Sequence, residues 1–205
     1  MIDLYTWSTP NGRKVSILLE ELGAPYNVHP IDISTGIQKG PDFVAISPNG
    51  RIPAIVDQDT GRSMMESGAI LLYLAEKHGA FLGPDRWRTI EWLMWQMGGI
   101  GPMIGQAHHF LHGDPGHSEY GEKRYWTETA RLYGVLEARL AARDFVADDY
   151  SIADMAIWPW ISRFQRHRIS LSDYPNVKDW YLRIAERPAV QRGYAVPAPE
   201  EVPLP

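Results

Sequence analysis

The chain has 205 residues, 44% hydrophobic and 22% charged, an ordinary balance for a folded globular protein and enough length for one core or two small ones. A net charge of −5 without a Lys/Arg cluster argues against nucleic acid or an anionic membrane as partner, and no apolar run reaches the ~18 residues of a membrane span. There is no cysteine, which removes disulfides, thiolate metal sites and a cysteine nucleophile, so any thiol chemistry here has to use a thiol carried by the ligand.

The chain opens on "MIDLYTW", which reads as a strand over Ile2–Trp7 and lacks the charged and apolar regions of a signal peptide; the cytoplasm is the expected location. Asn11–Leu22 has helical periodicity, with Gly23 as its stop. Between them lies Ser8-Thr9-Pro10-Asn11-Gly12, where Thr9 suits an N-cap and Pro10 the first helical position. Taken alone, this stretch is a capping signal; two hydroxyls and an amide at a helix start also suit an anion.

Tyr26–Ile33 alternates as a second strand, and Pro41–Ile46 allows a short helix. Pro53–Asp57 and Ser63–Glu66 flank the turn "QDTG" and read as a hairpin. Pro53 opens a strand, which calls for a reason: a cis Ile52–Pro53 bond would leave the residue 52 peptide group facing an extended ligand, and an ordinary trans proline at a strand start is the alternative. Ser67–His78 is a helix ended by Gly79. Glu66-Ser67 at its start pairs a carboxylate with a hydroxyl, matching the ammonium and carboxylate of an amino acid, while Ser67 as a simple cap is the structural alternative.

Beyond residue 85 no strand pattern remains. Asp85–Phe110, Ser118–Arg143, Ser151–Gln165 and Pro175–Glu186 read as helices, and the tail "VPAPEEVPLP" as disordered or loosely docked. The first helical run carries "QMGGIGPMIGQAHHFLH", whose interior glycines at ~1 kcal/mol and proline at ~3 kcal/mol have to be offset by close approach of a helix, a subunit or a ligand. His108 and His112 share a helix face, yet no third histidine on that face and no HExxH-type glutamate accompanies them, so no metal is expected. Ser151-x-x-Asp154 is a capping box, read as a folding signal and not as catalysis.

The order βαβ, ββα, then all helix, together with "IP" opening a strand, "ES" opening a helix and "S-x-A-D" in the second half, resembles the cytosolic glutathione transferase family. More narrowly, "TPNGRKVSILLEEL", "SPNGRIPAIVD", "ESGAILLYLAEKHG", "GPMIGQAHHF" and "YSIADMAIWPW" are similar to the nu class, bacterial proteins like the transferase-like domain of the yeast nitrogen-regulating prion protein. The resemblance implies an α+β fold: a thioredoxin-like domain over 1–79, a linker over 80–86 and an all-helical domain over 87–205. It implies glutathione as co-substrate and a homodimer.

It also assigns roles. Thr9 and Asn11 would lie at the glutathione sulfur, and Glu66 and Ser67 would hold the γ-glutamyl group. Ile52, through its backbone before Pro53, would hold the cysteinyl portion, and Gln38 would touch glutathione from the loop after the second strand. Arg124 would reach a glutathione carboxylate, in that class from the partner subunit; its structural reading is a solvated helix residue. A pocket for the second substrate is expected between the domains, lined from Gly98–Phe110 and by Trp160 and Phe164. The class implies glutathione-dependent disulfide-bond reduction. The alternatives are a conjugating or hydroperoxide-reducing transferase, and a glutathione-binding regulator without turnover.

Overall fold

Alternation decides the first strand. In β1 (Ile2–Thr6), Ile2, Leu4 and Thr6 point into the core and Asp3 and Tyr5 away from it, as a period of two requires. The computed structural model describes residues 1–205. After β1 the chain crosses through α1 (Pro10–Leu22) to β2 (Tyr26–Pro30), which pairs parallel with β1 from Ile2↔Tyr26 to Thr6↔Pro30. Gly23, at φ 59, ends α1 in the left-handed conformation that glycine adopts without penalty.

Strand β2 stops three residues short of the expected Ile33. There Asp32 turns the chain, its carboxylate accepting from the Ser34 N–H at 2.9 Å and the Ser34 hydroxyl at 2.7 Å. After α2 (Pro41–Ile46), β3 (Ala54–Asp57) and β4 (Arg62–Met65) form the expected hairpin. β3 runs antiparallel to β1, so the four strands lie in the order β2-β1-β3-β4.

Helix α3 (Ser67–His78) is tied to the hairpin by Asp57. That buried carboxylate accepts from the Tyr73 hydroxyl at 2.5 Å and from the Lys77 ammonium at 2.6 Å. Burial opposes its ionisation, but the Lys77 and Tyr73 bonds outweigh it and hold the carboxyl below its usual range.

The later helices are α4 (Arg86–Trp95), α5 (Gly105–His108), α6 (Glu119–Leu140), α7 (Ile152–Ile161), α8 (Pro175–Ala185) and α9 (Pro188–Tyr194). The helix expected over 85–110 is continuous but unevenly wound: Gln96–Ile104 and His109–Gly113 are π-helical. Pro102 lies inside the first of these and supplies no N–H to the ladder. The glycines admit close neighbours from the same chain. A Cβ on Gly101 would lie 2.9 Å from Gln96 Nε2, and one on Gly105 would lie 3.3 Å from the Trp160 ring of α7. Trp160 and Phe164 are themselves buried.

Contacts divide the chain into two units: Met1–Ala80 with Glu186–Val202, and Phe81–Ala185 with Pro203–Pro205. The sequence reading carried everything after residue 87 into the helical half; in the structure α9, which that reading lacked, packs on α1. A Cβ on Gly193 would fall 2.6 Å from the Ile17 Cα, so only glycine permits this approach. Ser16 donates to the Gly193 carbonyl at 2.7 Å, and Arg187 holds Glu21 through two bonds of 2.6 and 2.8 Å. Nor is the first part of the tail loose. Arg13, fully buried, stacks over the Tyr194 ring at 3.5 Å and pairs with Glu200. No helix is long and apolar enough to cross a membrane.

Candidate active site

Strand register brings the candidate residues of the first unit to one end of the sheet. Tyr5 pairs with Ala54 and Ala54 with Met65, so three strands are level there. Beyond that row lie the exit of β1 toward Thr9, the entry of β3 from Ile52-Pro53, and the exit of β4 into Glu66-Ser67. At ~4.8 Å per strand, the row places the Thr9 and Glu66 sides about 10 Å apart, the span of a small peptide.

Thr9 caps α1: its backbone is extended and its hydroxyl oxygen accepts from the Gly12 N–H at 3.2 Å. Because that oxygen already accepts, the hydroxyl proton remains for another acceptor. Pro10 takes the first helical position and Asn11, half-buried, the next. Gly12 is required where it stands: a Cβ there would fall 2.3 Å from the Trp7 carbonyl oxygen and 2.4 Å from Thr6 Oγ1. The helix therefore starts directly on the end of β1, and its positive end is held rigidly.

The Ile52–Pro53 peptide bond is cis, as the first of the two sequence readings has it. The Ile52 side chain packs on the cluster of Ile31, Phe43 and Ala54, while its peptide group stands just before the β3 ladder. Gln38 is half-buried in the loop after β2; its amide donates to the Ile33 carbonyl at 3.1 Å, and its Oε1 is buried without a partner.

Glu66 adopts φ 71, ψ 110, a region that residues other than glycine rarely occupy. Such a residue costs of order 1–3 kcal/mol and persists where the surrounding structure over-determines it, often at ligand sites. Its side chain is exposed, whereas Ser67, the first residue of α3, is buried. Below Ser67 lies a group that the sequence reading passed over. The Lys14 ammonium, buried in the face of α1, donates to Ser67 Oγ at 3.2 Å. Burial pulls its pKa down to about 7, with the Glu66 carboxylate working in the opposite direction. The signal was in the sequence: Lys14 falls at i, with Ile17 and Leu18 at i+3 and i+4, on the apolar stripe of the helix.

Arg124 belongs to the second unit and is exposed on α6. With Met103, Tyr120, Lys123, Tyr125, Thr127 and Glu128 it lines an open cavity of about 640 Å³. His108 and His112 have their rings 5.3 Å apart, and the Arg166 guanidinium lies 3.4 Å from His108 Nε2. Burial and the neighbouring Arg166 lower the His108 pKa to about 4. No group of three or more His, Cys, Asp or Glu side chains gathers in a metal-binding arrangement.

Residues 9–77 match the model of the glutathione S-transferase N-terminal domain, and residues 101–188 that of the C-terminal domain. The disulfide-bond oxidoreductase YfcG of Escherichia coli K12 is 50% identical over 198 residues, which is 92% of either chain. The chain belongs to the glutathione transferase family.

A solved transferase from Pseudomonas putida, with one glutathione disulfide bound per subunit, superposes with a TM-score of 0.91 at 42% identity, covering 96% of this chain and 92% of that one. Protein URE2 of Candida albicans is 34% identical over 231 residues, 90% of this chain and 67% of its own. The likeness to the nitrogen-regulating yeast protein is therefore borne out, as is the thioredoxin-like domain followed by helices.

Proposed function

We propose that this transferase is a glutathione-dependent disulfide-bond oxidoreductase of the nu class whose nucleophile is the thiolate of bound glutathione. The observation that carries the reading is a hydroxyl and an amide, Thr9 and Asn11, at the start of a helix fixed against β1, in a chain without cysteine. Support comes from the resemblance to YfcG and to the Pseudomonas transferase that binds glutathione disulfide.

In this reading Glu66 pairs with the γ-glutamyl ammonium. Ser67 and the first N–H groups of α3 receive its carboxylate, Gln38 adds a contact, and the Ile52 peptide group before Pro53 pairs with the cysteinyl backbone. The thiolate attacks one sulfur of the substrate disulfide; a new S–S bond forms as the old one breaks, and the departing thiolate takes up a proton. A second glutathione thiolate then attacks the glutathione sulfur of the mixed disulfide. One disulfide and two glutathiones thus become two thiols and one glutathione disulfide. A reducing compartment such as the cytoplasm keeps that balance running forward.

The test compares substrates. Glutathione-driven reduction of hydroxyethyl disulfide is expected to exceed conjugation of chloronitrobenzene and reduction of a hydroperoxide. Brisk conjugation with weak disulfide turnover, or binding of glutathione with no turnover at all, would refute this assignment.

The assembly we propose is a homodimer built on the second unit. Support comes from large exposed apolar side chains on two of its helices: Trp87 and Met94 on α4, at 73% and 50% exposure, and Tyr120 and Trp126 on α6, at 74% and 41%. Arg124 lies on the same helix and would serve the partner's glutathione. Light scattering at micromolar concentration is expected to give twice 23.3 kDa; a monomer would rule out the trans role of Arg124.

A further inference from the structure

Lys14 is the one buried ammonium in the first unit that the proposed chemistry leaves unused. It is 1% exposed, and the cost of burying an amine has to be offset by the groups that it touches. An ammonium only donates, so Ser67 Oγ, 3.2 Å away, is the acceptor in this bond. The Ser67 hydroxyl proton then points away from Lys14.

We propose that Lys14 is the positioning residue of the γ-glutamyl subsite: its buried amine holds the Ser67 oxygen, aims the Ser67 proton at the ligand's carboxylate, and supplies the positive charge that answers that anion. This rests on the assignment of Glu66 and Ser67 to the γ-glutamyl group. A consequence is that ligand binding draws a proton onto Lys14, because an anion beyond Ser67 favours the charged amine.

The other charges around α1 are engaged elsewhere. On the α9 side Arg187 pairs with Glu21, Arg192 with Glu20, and Arg13 with Glu200. On α3, Lys77 is held by Asp57 and Asp59, while Glu76 and His78 lie with it in the last turn of the helix, away from Ser67 at its start. Glu66 is the charged group that acts on Lys14. With the amine near about 7 when no ligand is bound, uptake is expected in the neutral to mildly alkaline range.

The stability sign runs the other way. Between about 7 and the usual 10.5 the unfolded chain holds a proton that native Lys14 has lost, so this group makes stability rise with pH through that window. Lys14→Met removes the penalty, and its melting temperature at pH 7 is expected to equal or exceed that of the native chain.

The probe is S-methylglutathione, which has the γ-glutamyl group but no thiol to titrate. Calorimetry in two buffers of different ionisation heat counts the protons taken up. Native protein is expected to take up a fraction of a proton near pH 7.5–8, and its affinity to fall about tenfold from pH 6.5 to 8.5. Lys14→Met is expected to bind about tenfold more weakly at the lower pH, with less proton uptake and a shallower profile, because only the ligand's own ammonium still titrates. A purely structural lysine would instead leave the profile parallel to the native one and lower the melting temperature.

Proton-neutral binding by the native chain, which requires no variant, overturns the proposal, as does a native-like profile in Lys14→Met. Ser67→Ala separates the two layers of the argument. If it binds with native affinity, the γ-glutamyl assignment has failed; if it binds weakly while native binding is proton-neutral, Lys14 alone has been misassigned.

Discussion

Replacing Asn11 by alanine is expected to lower kcat for disulfide reduction ten- to a hundredfold, while the dissociation constant of glutathione changes less than about threefold. A free thiol with a pKa of ~8.5 is only about 3% thiolate at pH 7, and a downward shift of ~2 units, about 2.7 kcal/mol, makes it mostly ionised. A hydrogen bond to an anion contributes ~1.5–3 kcal/mol, so one or two donors with the helix end suffice, and no general base is needed. In the proposed reading Asn11 is one such donor and the Thr9 hydroxyl the other. The γ-glutamyl and cysteinyl contacts of that reading are left in place by Asn11→Ala, so kcat is expected to carry the loss. Thr9 is a less clean probe because it also caps α1: Thr9→Ala forfeits about 1 kcal/mol of stability, whereas Thr9→Ser keeps both cap and donor. Steady-state kinetics on hydroxyethyl disulfide beside glutathione calorimetry makes the split visible. Equal losses in affinity and kcat would place Asn11 in general binding instead.

The largest stability loss is expected at Asp154, to which no chemistry is assigned. Its two oxygens accept four bonds: from the Val146 N–H at 3.0 Å and Trp180 Nε1 at 2.9 Å on one side, and from the Ser151 N–H at 3.1 Å and Ser151 Oγ at 3.2 Å on the other. Burial pushes the carboxyl up to about 6, against the Val146 and Trp180 bonds, so it is still ionised at neutral pH. Asp154→Asn keeps the shape but turns an NH2 toward two donors. That leaves buried N–H groups unpaired and is expected to cost about 3 kcal/mol. At roughly 2–4 °C per kcal/mol for a chain of this size, the melting temperature should fall by about 10 °C. Activity per folded molecule at low temperature should be retained. A shift under about 2 °C would mean that the capping box is dispensable.

Local signals made most of the fold legible. Gly23, Gly79 and the Thr9-Pro10 cap mark helix ends by backbone chemistry that needs no tertiary context. The Ser151/Asp154 box is equally local, and the structure contains it as read. What escaped depended on contacts between distant residues. Helix α9 is seven residues long, too short for a periodic signal, and it exists because Gly193 lets it close on Ile17. Arg13 reads as a surface residue until Tyr194 and Glu200 arrive from the other end of the chain. Trp160 of α7 lies against Gly105, directly after the π-helical run of Gln96–Ile104, a neighbour that no window of sequence contains.

At the candidate site the balance was similar. That Thr9, Asn11, Glu66 and Ser67 stand at helix starts was legible, because the sequence marks such places. Glu66 in a left-handed conformation was not, since glutamate carries no preference for it. Lys14 was written on the apolar stripe of α1, but a lone lysine there usually reaches out to solvent along its stem. Only the structure turns it inward to Ser67.

The central claim is that the protein ionises the thiol of bound glutathione. The most direct measurement is a pH titration of thiolate absorbance for glutathione bound to the native chain, which has no cysteine of its own to interfere. The account predicts a midpoint about 2 units below that of the free thiol, returning part of the way in Asn11→Ala. A bound thiol that titrates where the free one does would contradict it.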